Sequence, residues 1–250
     1  MKTLKILSAI AVFFFALTMQ AQTAEEIVDN FIETIGGTEA WSEVKSMKVI
    51  GVGRQQGVDY PFVATMMDDG RTVIDVDLQG TSFIVEAFDG ESAWSMNFQT
   101  QKAEAFDSEF SLNYKNEAKD QLPSAFFNYK EKGYQIELVG KETWEGTEVY
   151  KIKLIKKPVM VDGKEEENID MYFFDTENFV PIAMETIVKF GPAKGINATT
   201  VMSDYQEVDG LIMPFSVIEK LNGNVSLEML YKTIEFNSKV DETIFSMPKE

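Results

Sequence analysis

The chain has 250 residues, 44% hydrophobic, 12% aromatic and 26% charged, with no cysteine and no histidine. Those two zeros exclude thiol nucleophiles, disulfides, Ser-His-Asp triads and the zinc, copper and haem sites that need His or Cys ligands. Twenty-three basic against 41 acidic side chains give a net charge of −18, which opposes direct binding to nucleic acid or to an anionic membrane surface.

Residues 1–21, MKTLKILSAIAVFFFALTMQA, read as an export signal. Lys2 and Lys5 form a positive start, an apolar run from Ile6 to Leu17 follows, and Ala21 offers a small residue for cleavage. The run is shorter than the roughly 20 residues that span a bilayer. Cleavage would leave 21 basic and 41 acidic side chains, or −20. No Cys follows the run, so no acyl attachment point exists there.

Thr23-Ala24-Glu25-Glu26 is a capping box. Ile27, Val28, Phe31, Ile32 and Ile35 then share one face of a helix that Gly36-Gly37 ends. A short second helix is expected over Glu39 to Val44, with Thr38 as its cap and Trp41 and Val44 inward. From Lys45 the pattern turns to strands. Asp69-Gly70, Gln79-Gly80 and Asp89-Gly90 punctuate runs at 71–78, 81–88 and 91–98, the spacing of a β-meander. Phe83 and Val85 are expected on the face opposite Glu86.

Residues 108–132 read as one or two short helices interrupted at Pro123, with Leu122, Ala125, Phe126 and Tyr129 on one face. Strands resume at 134–140 and 148–155 around Glu145-Gly146, then at 167–175 and 180–190 around Thr176-Glu177-Asn178. In the last of these Val180, Ile182, Met184, Val188 and Phe190 have one parity. Strands at 197–208 and 211–221 flank Asp209-Gly210, and 224–236 follows Asn222-Gly223. The count is about eleven strands in one domain, residues 22–250. The charged run from Asp162 to Glu167 fits no EF-hand loop and reads as a solvated hairpin turn rather than a calcium site.

The fold class expected is mainly β (α+β). An antiparallel sheet this large must curl or close to bury its edges. Curled, it becomes an incompletely closed barrel whose N-terminal and mid-chain helices cover an apolar interior. Sixteen Phe and 11 Met lie beyond residue 21. A cavity lined by such residues suits an acyl chain. The candidates are Phe62, Met66, Phe83, Val85, Trp94, Met96, Phe126, Met171, Phe173 and Met184, and the competing reading of the same stripe is ordinary packed core. No cofactor and no metal are expected. Paired carboxylates would suit glycoside hydrolysis, but among 41 acids some pair always qualifies, so an enzyme is the weakest reading.

Four segments carry a family resemblance: AFDGESAWSMN (87–97), YFFDTENFVPIAME (172–185), YQEVDGLIMPFSV (205–217) and IEFNSKVDETIFSMP (234–248). Together with the order of elements they resemble the outer-membrane lipoprotein-sorting proteins of the LolA-like superfamily. The resemblance implies an unclosed antiparallel barrel lined with apolar residues and lidded by helices. It implies a soluble periplasmic carrier of acylated lipoprotein or a lipid-like amphiphile, with envelope membrane proteins as donor and acceptor, and the strong acidity favours a monomer. A lipid-sensing or interaction protein that transports nothing is the alternative. Arg54 is the nearest candidate for the family's early-strand arginine.

Overall fold

The computed structural model describes residues 22–248, so the expected signal segment lies outside the described residues. Two helices open the fold, α1 (Ala24–Thr34) and α2 (Gly37–Ser42). Six strands follow: β1 (Ser46–Gln55), β2 (Val58–Met67), β3 (Thr72–Leu78), β4 (Thr81–Phe88), β5 (Ala93–Met96) and β6 (Ala103–Ala105). Helix α3 (Ser108–Glu117) and an irregular segment over 118–134 precede the second run of strands. These are β7 (Gln135–Trp144), β8 (Thr147–Ile155), β9 (Val159–Val161), β10 (Lys164–Glu166), β11 (Ile169–Asp175), β12 (Pro181–Ile187), β13 (Asn197–Val208), β14 (Leu211–Leu221) and β15 (Asn224–Phe236).

Thirteen of these strands form one antiparallel sheet in the order β6-β5-β4-β3-β2-β1-β15-β14-β13-β12-β11-β8-β7. The sheet curls without closing, since β6 and β7 each keep a free edge. Six hairpins turn on two residues ending in glycine, at Gln56-Gly57, Gln79-Gly80, Glu145-Gly146, Asp162-Gly163, Asp209-Gly210 and Asn222-Gly223. Both central residues have positive φ in each. Such mirror-image turns match the right-handed twist of the strands they join. Breaks in register at Ile50/Gly51, Ile74/Asp75, Phe173/Phe174 and Glu219/Lys220 mark β-bulges, which bend and coil the sheet.

Helix α1 starts as its capping box dictates: the Glu26 N–H donates to Thr23 Oγ1 at 3.1 Å, and the Thr23 N–H donates to Glu26 Oε2 at 3.0 Å. Its apolar face carries Ile27, Val28 and Phe31 into the barrel. There Phe31 meets Phe126 and Phe174 edge-on at 5.9 and 5.5 Å. This half of the interior is filled solidly, by α1, by Leu122, Ala125, Phe126 and Phe127 of the irregular segment, and by Ile152, Leu154 and Phe174 of the sheet. Leu122, Ala125, Phe126 and Tyr129 are all buried as expected, although no second regular helix carries them.

Five elements differ from the sequence reading: α2, β6, β9, β10 and β12. Helix α2 begins two residues early, at Gly37, and is capped by Gly36 with no side-chain hydrogen bond, so Thr38 is not its cap. The β6 strand and the β9–β10 hairpin, each of three-residue strands, raise the strand number above the expected eleven. The charged run supplies the turn of that hairpin and strand β10, and the Asp162 and Gly163 N–H groups in the turn donate to the Glu109 carboxylate at 2.8 and 2.7 Å. Strand β12 stops at Ile187, and its bulge puts Ile182 with Ala183 on the face opposite Val180. The single parity expected over 180–190 is thereby broken.

Helix α3 is tied down by charge. Lys156 Nζ lies 2.9 Å from Asp170 Oδ2 on β11 and 3.1 Å from Glu117 Oε2 at the end of α3. Asn168 Nδ2 donates to the other Glu117 oxygen. Lys156 and Asp170 are 10% and 7% exposed. The two carboxylates hold the ammonium protonated more firmly than usual, against the cost of burial. At its other flank α3 sets Phe110, Tyr114 and the following Ala118 against Phe88 and Ala93. Among the described residues no helix is long and apolar enough to cross a membrane.

Candidate ligand cavity

The other half of the barrel is not filled. A cavity of about 670 Å³ lies against β1–β4, β14 and β15. Its wall is built by strand alternation. Phe62, Ala64 and Met66 point inward from β2, opposite Ile74 and Val76 of β3, while Val49 of β1 and Leu227 and Met229 of β15 complete the apolar lining. Phe98 and Leu78 add to the apolar lining, and Gln55, Tyr60 and Tyr231 are its uncharged polar members. The volume falls in the range of about 300–1,000 Å³ typical of small-molecule pockets.

Gly51 makes room for one wall. A methyl group there would meet the Phe62 ring at 2.8 Å and the Leu230 carbonyl oxygen at 2.6 Å. Phe62 thus lies across a strand position stripped of its side chain, and its far side meets Tyr231 at 6.1 Å. Gly51→Ala is expected to cost about 1–3 kcal/mol by overpacking and to swing Phe62 into the cavity. Urea titration and dye binding on the same sample check both halves of that expectation.

The ten residues expected at the cavity divide by position. Phe62, Met66 and Val85 line it. Phe83 is buried beside the lining, paired with Val76 and stacked on Phe98 at 5.3 Å, without lining the cavity itself. Phe126 is inside the barrel but belongs to the filled half, against Phe31 and Tyr172. Met184 pairs with Tyr172 and Thr200 and so faces inward, with β13 between it and the lining residue Glu219, and is not itself part of the lining. The remaining four lie on the opposite face of the sheet. Trp94 and Met96 pack with Phe245 of the C-terminal 3₁₀ turn Glu242–Phe245. Met171 and Phe173 pack with Trp144 and Ala183. Arg54 is at the far end of β1, paired with Asp59 at 2.7 Å in an exposed bridge, and does not enter the cavity.

Two carboxylates that sequence reading set aside stand in the cavity: Glu86 of β4 and Glu219 of β14. Strict alternation puts Glu86 outside. The bulge between β3 and β4 pairs Ile74 with Glu86 and Asp75 with Ile84, leaving Val85 without a partner. That extra residue turns Glu86 inward. The Tyr114 hydroxyl of α3 donates to Glu86 Oε1 at 2.8 Å, and Gln121 Nε2 donates to the Tyr114 oxygen at 3.1 Å. Burial raises the Glu86 pKa above the ordinary carboxylate range, with the Tyr114 hydrogen bond opposing it more weakly. Glu219 stays exposed to solvent, and its pKa is raised first by partial desolvation and then by the charge of Glu86. Burial and then Glu219 push the Tyr231 hydroxyl up to about 12.

These shifts have a sign for stability. A carboxyl whose folded pKa exceeds its unfolded value binds protons better in the native state. Stability is therefore greatest at low pH, below the unfolded value near 4.5, and declines as pH rises through the raised folded values. A Glu86→Gln/Glu219→Gln double variant is expected to show a flatter decline and to exceed the parent in stability at neutral pH. Urea unfolding across that pH interval checks it. Among the described residues no group of three or more acidic side chains is placed to hold a metal ion.

No family model matches the sequence, and no curated protein matches it significantly. Solved structures do share its architecture. A domain named as an outer membrane lipoprotein-sorting protein of Vibrio parahaemolyticus superposes with a TM-score of 0.58 at 13% identity, covering 89% of this chain and 97% of that one. A LolA superfamily protein of Nitrosomonas europaea gives 0.56 at 13% identity, over 90% and 98%. A DUF1329 family protein of Desulfovibrio piger gives 0.57 at 11% identity, over 89% and 97%. At such identities the likeness speaks for architecture alone: the curled, unclosed sheet with its covering helices is a LolA-like fold.

Proposed function

We propose that this chain is an exported carrier or binder of lipid or acyl groups in the periplasm, working after residues 1–21 are removed as a single domain. The observation that carries the reading is the half-empty barrel. A fold of this size has apolar side chains enough to fill its interior, and in the half next to α1 it does so. In the other half Ile74, Val76, Met66 and Met229 face about 670 Å³ of space instead. Apolar walls left unburied forfeit free energy that an acyl chain would restore, at roughly 0.8 kcal/mol per buried methylene.

The named likeness to a lipoprotein-sorting domain supports the same class of cargo. Acylated lipoprotein, handed between envelope membrane proteins, is the fullest form of the proposal. The net charge keeps such a carrier from settling on the anionic membranes it passes between. The reading is binding, not catalysis. Extraction and mass spectrometry of protein purified without detergent is expected to find an amphiphile at near-stoichiometric amount, and stripped protein is expected to bind an environment-sensitive apolar dye. Absence of both would sink the reading.

A further inference from the structure

The cavity is apolar on nearly every side, yet its only charged lining residues among those described are two acids, Glu86 and Glu219. No lysine or arginine lines it. The nearest basic residue in sequence, Lys220, turns to the other face of β14 and pairs with Glu145 at 3.2 Å. The two acids are held differently. Glu86 is fixed by Tyr114 and, through it, by Gln121. The Glu219 carboxylate has no hydrogen-bond or ion-pair partner among the described residues. Its backbone carbonyl alone is engaged, accepting from the Ser226 hydroxyl at 3.1 Å. Its cross-strand neighbours, Thr200 and Leu227, bring no charge.

Glu219 is exposed enough to stay hydrated and Glu86 is half-buried against Tyr114, so the two give the cavity a negative patch that water only partly screens. A ligand that brings a positive charge is drawn to it, and one that brings a third negative charge is repelled, because charges in a partly dry site interact far more strongly than in water. The β4 bulge makes this arrangement specific, since without Val85 as the extra residue Glu86 would fall on the opposite face of the sheet.

We propose that the cavity selects amphiphiles by headgroup charge: the apolar chain lies along β1–β4 and β15, a cationic amine headgroup is held by the carboxylates of Glu219 and Glu86, and anionic headgroups are refused. The proposal rests on the carrier reading and adds the chemical class of the cargo. It also distinguishes a cargo amine, free or at a lipoprotein's acylated end, from fatty acids and anionic phospholipids with the same chains.

The test uses three probes with one chain length: dodecyltrimethylammonium, monododecanoylglycerol and dodecanoate, each below its micellar concentration, displacing an apolar dye from delipidated protein. The expected order is cation, then neutral, then anion, with the cation about tenfold or more tighter than the anion, the scale that a charge contact in a half-wet site provides. In Glu219→Gln the gap is expected to shrink to about threefold or less. Glu177→Gln, an exposed change in the β11–β12 turn, removes the same charge from the surface and is expected to leave the gap intact. Equal affinities, or tightest binding of dodecanoate, overturn charge selection and leave the carrier reading standing. A gap unchanged in Glu219→Gln, or lost equally in Glu177→Gln, assigns it to the overall acidity and overturns the cavity's role. Binding of none of the probes overturns both readings together.

Discussion

Trp94→Ala is expected to lower the unfolding free energy by about 3–5 kcal/mol, the cost of deleting a large buried aromatic side chain. Trp94 is 1% exposed and packs with Val73, Ala87 and Phe245. Its indole N–H donates to the Phe245 carbonyl at 2.8 Å. Through that bond the strand meander holds the C-terminal segment against its outer face. Arg71 adds a second clasp: its guanidinium lies 5.2 Å from the Phe245 ring and pairs with Glu242 at 3.1 Å and Asp69 at 2.8 Å. Trp94→Phe keeps most of the apolar contact and strands the carbonyl, so it is expected to cost about 1–3 kcal/mol. Urea unfolding measures both. Equal, small losses would mean that residues 241–248 contribute little to the folded state.

Val76→Trp is expected to weaken binding of an apolar dye or acyl probe by about tenfold or more while the fold survives. Val76 faces the open half of the barrel between Phe62 and Leu78, so an indole there enters empty space rather than packed core. Displacing even two methylenes from an acyl ligand forfeits roughly 1.6 kcal/mol, or about tenfold. A Met184 substitution is the informative contrast. That side chain faces inward beside Tyr172 and Thr200 yet does not line the cavity. Met184→Leu is expected to leave dye binding unchanged, and a loss equal to that of Val76→Trp would place the ligand in a different part of the barrel. Fluorescence titration and thermal unfolding of the two variants separate blocked binding from failed folding.

Much of the framework was legible because it is written in local chemistry. Asp209-Gly210 and Asn222-Gly223 demand mirror-image turns, and β13, β14 and β15 fall on the expected residues. The Thr23–Glu26 box likewise places the start of α1. Bulges were not legible. One extra residue at Val85 and another at Ile182 reverse the side-chain parity beyond them, and no periodicity in the residues announces either. Glu86 was therefore assigned outward when it points in.

The candidate cavity suffered from a second ambiguity. Alternation says which residues share a face and leaves open what covers that face. Trp94 and Phe173 have the right residue types and sit on the opposite surface, covered by Phe245 and Trp144. Phe126 is interior and packed because α1 reaches it, a contact between segments far apart in sequence. Glu219 shows the limit most plainly. In sequence it is one of 41 acids, and only its place in the curled sheet brings it opposite Glu86.

The order of the sheet also governs how the protein is assembled. Strand β15 is the last of the described strands and stands in the middle, between β1 and β14, where Met47 pairs with Phe236. Until residues 224–236 are available, β1–β6 on one side and β7, β8 and β11–β14 on the other are two separate sheets, each with a raw edge and an uncovered apolar face. Contacts so distant in sequence make folding slow and leave such edges open to wrong partners. A chain held unfolded through export would escape that hazard, because the middle strand then arrives together with the two halves it joins. By the same logic a cut before Asn224 removes no fringe: it takes out the seam that makes one barrel of two sheets.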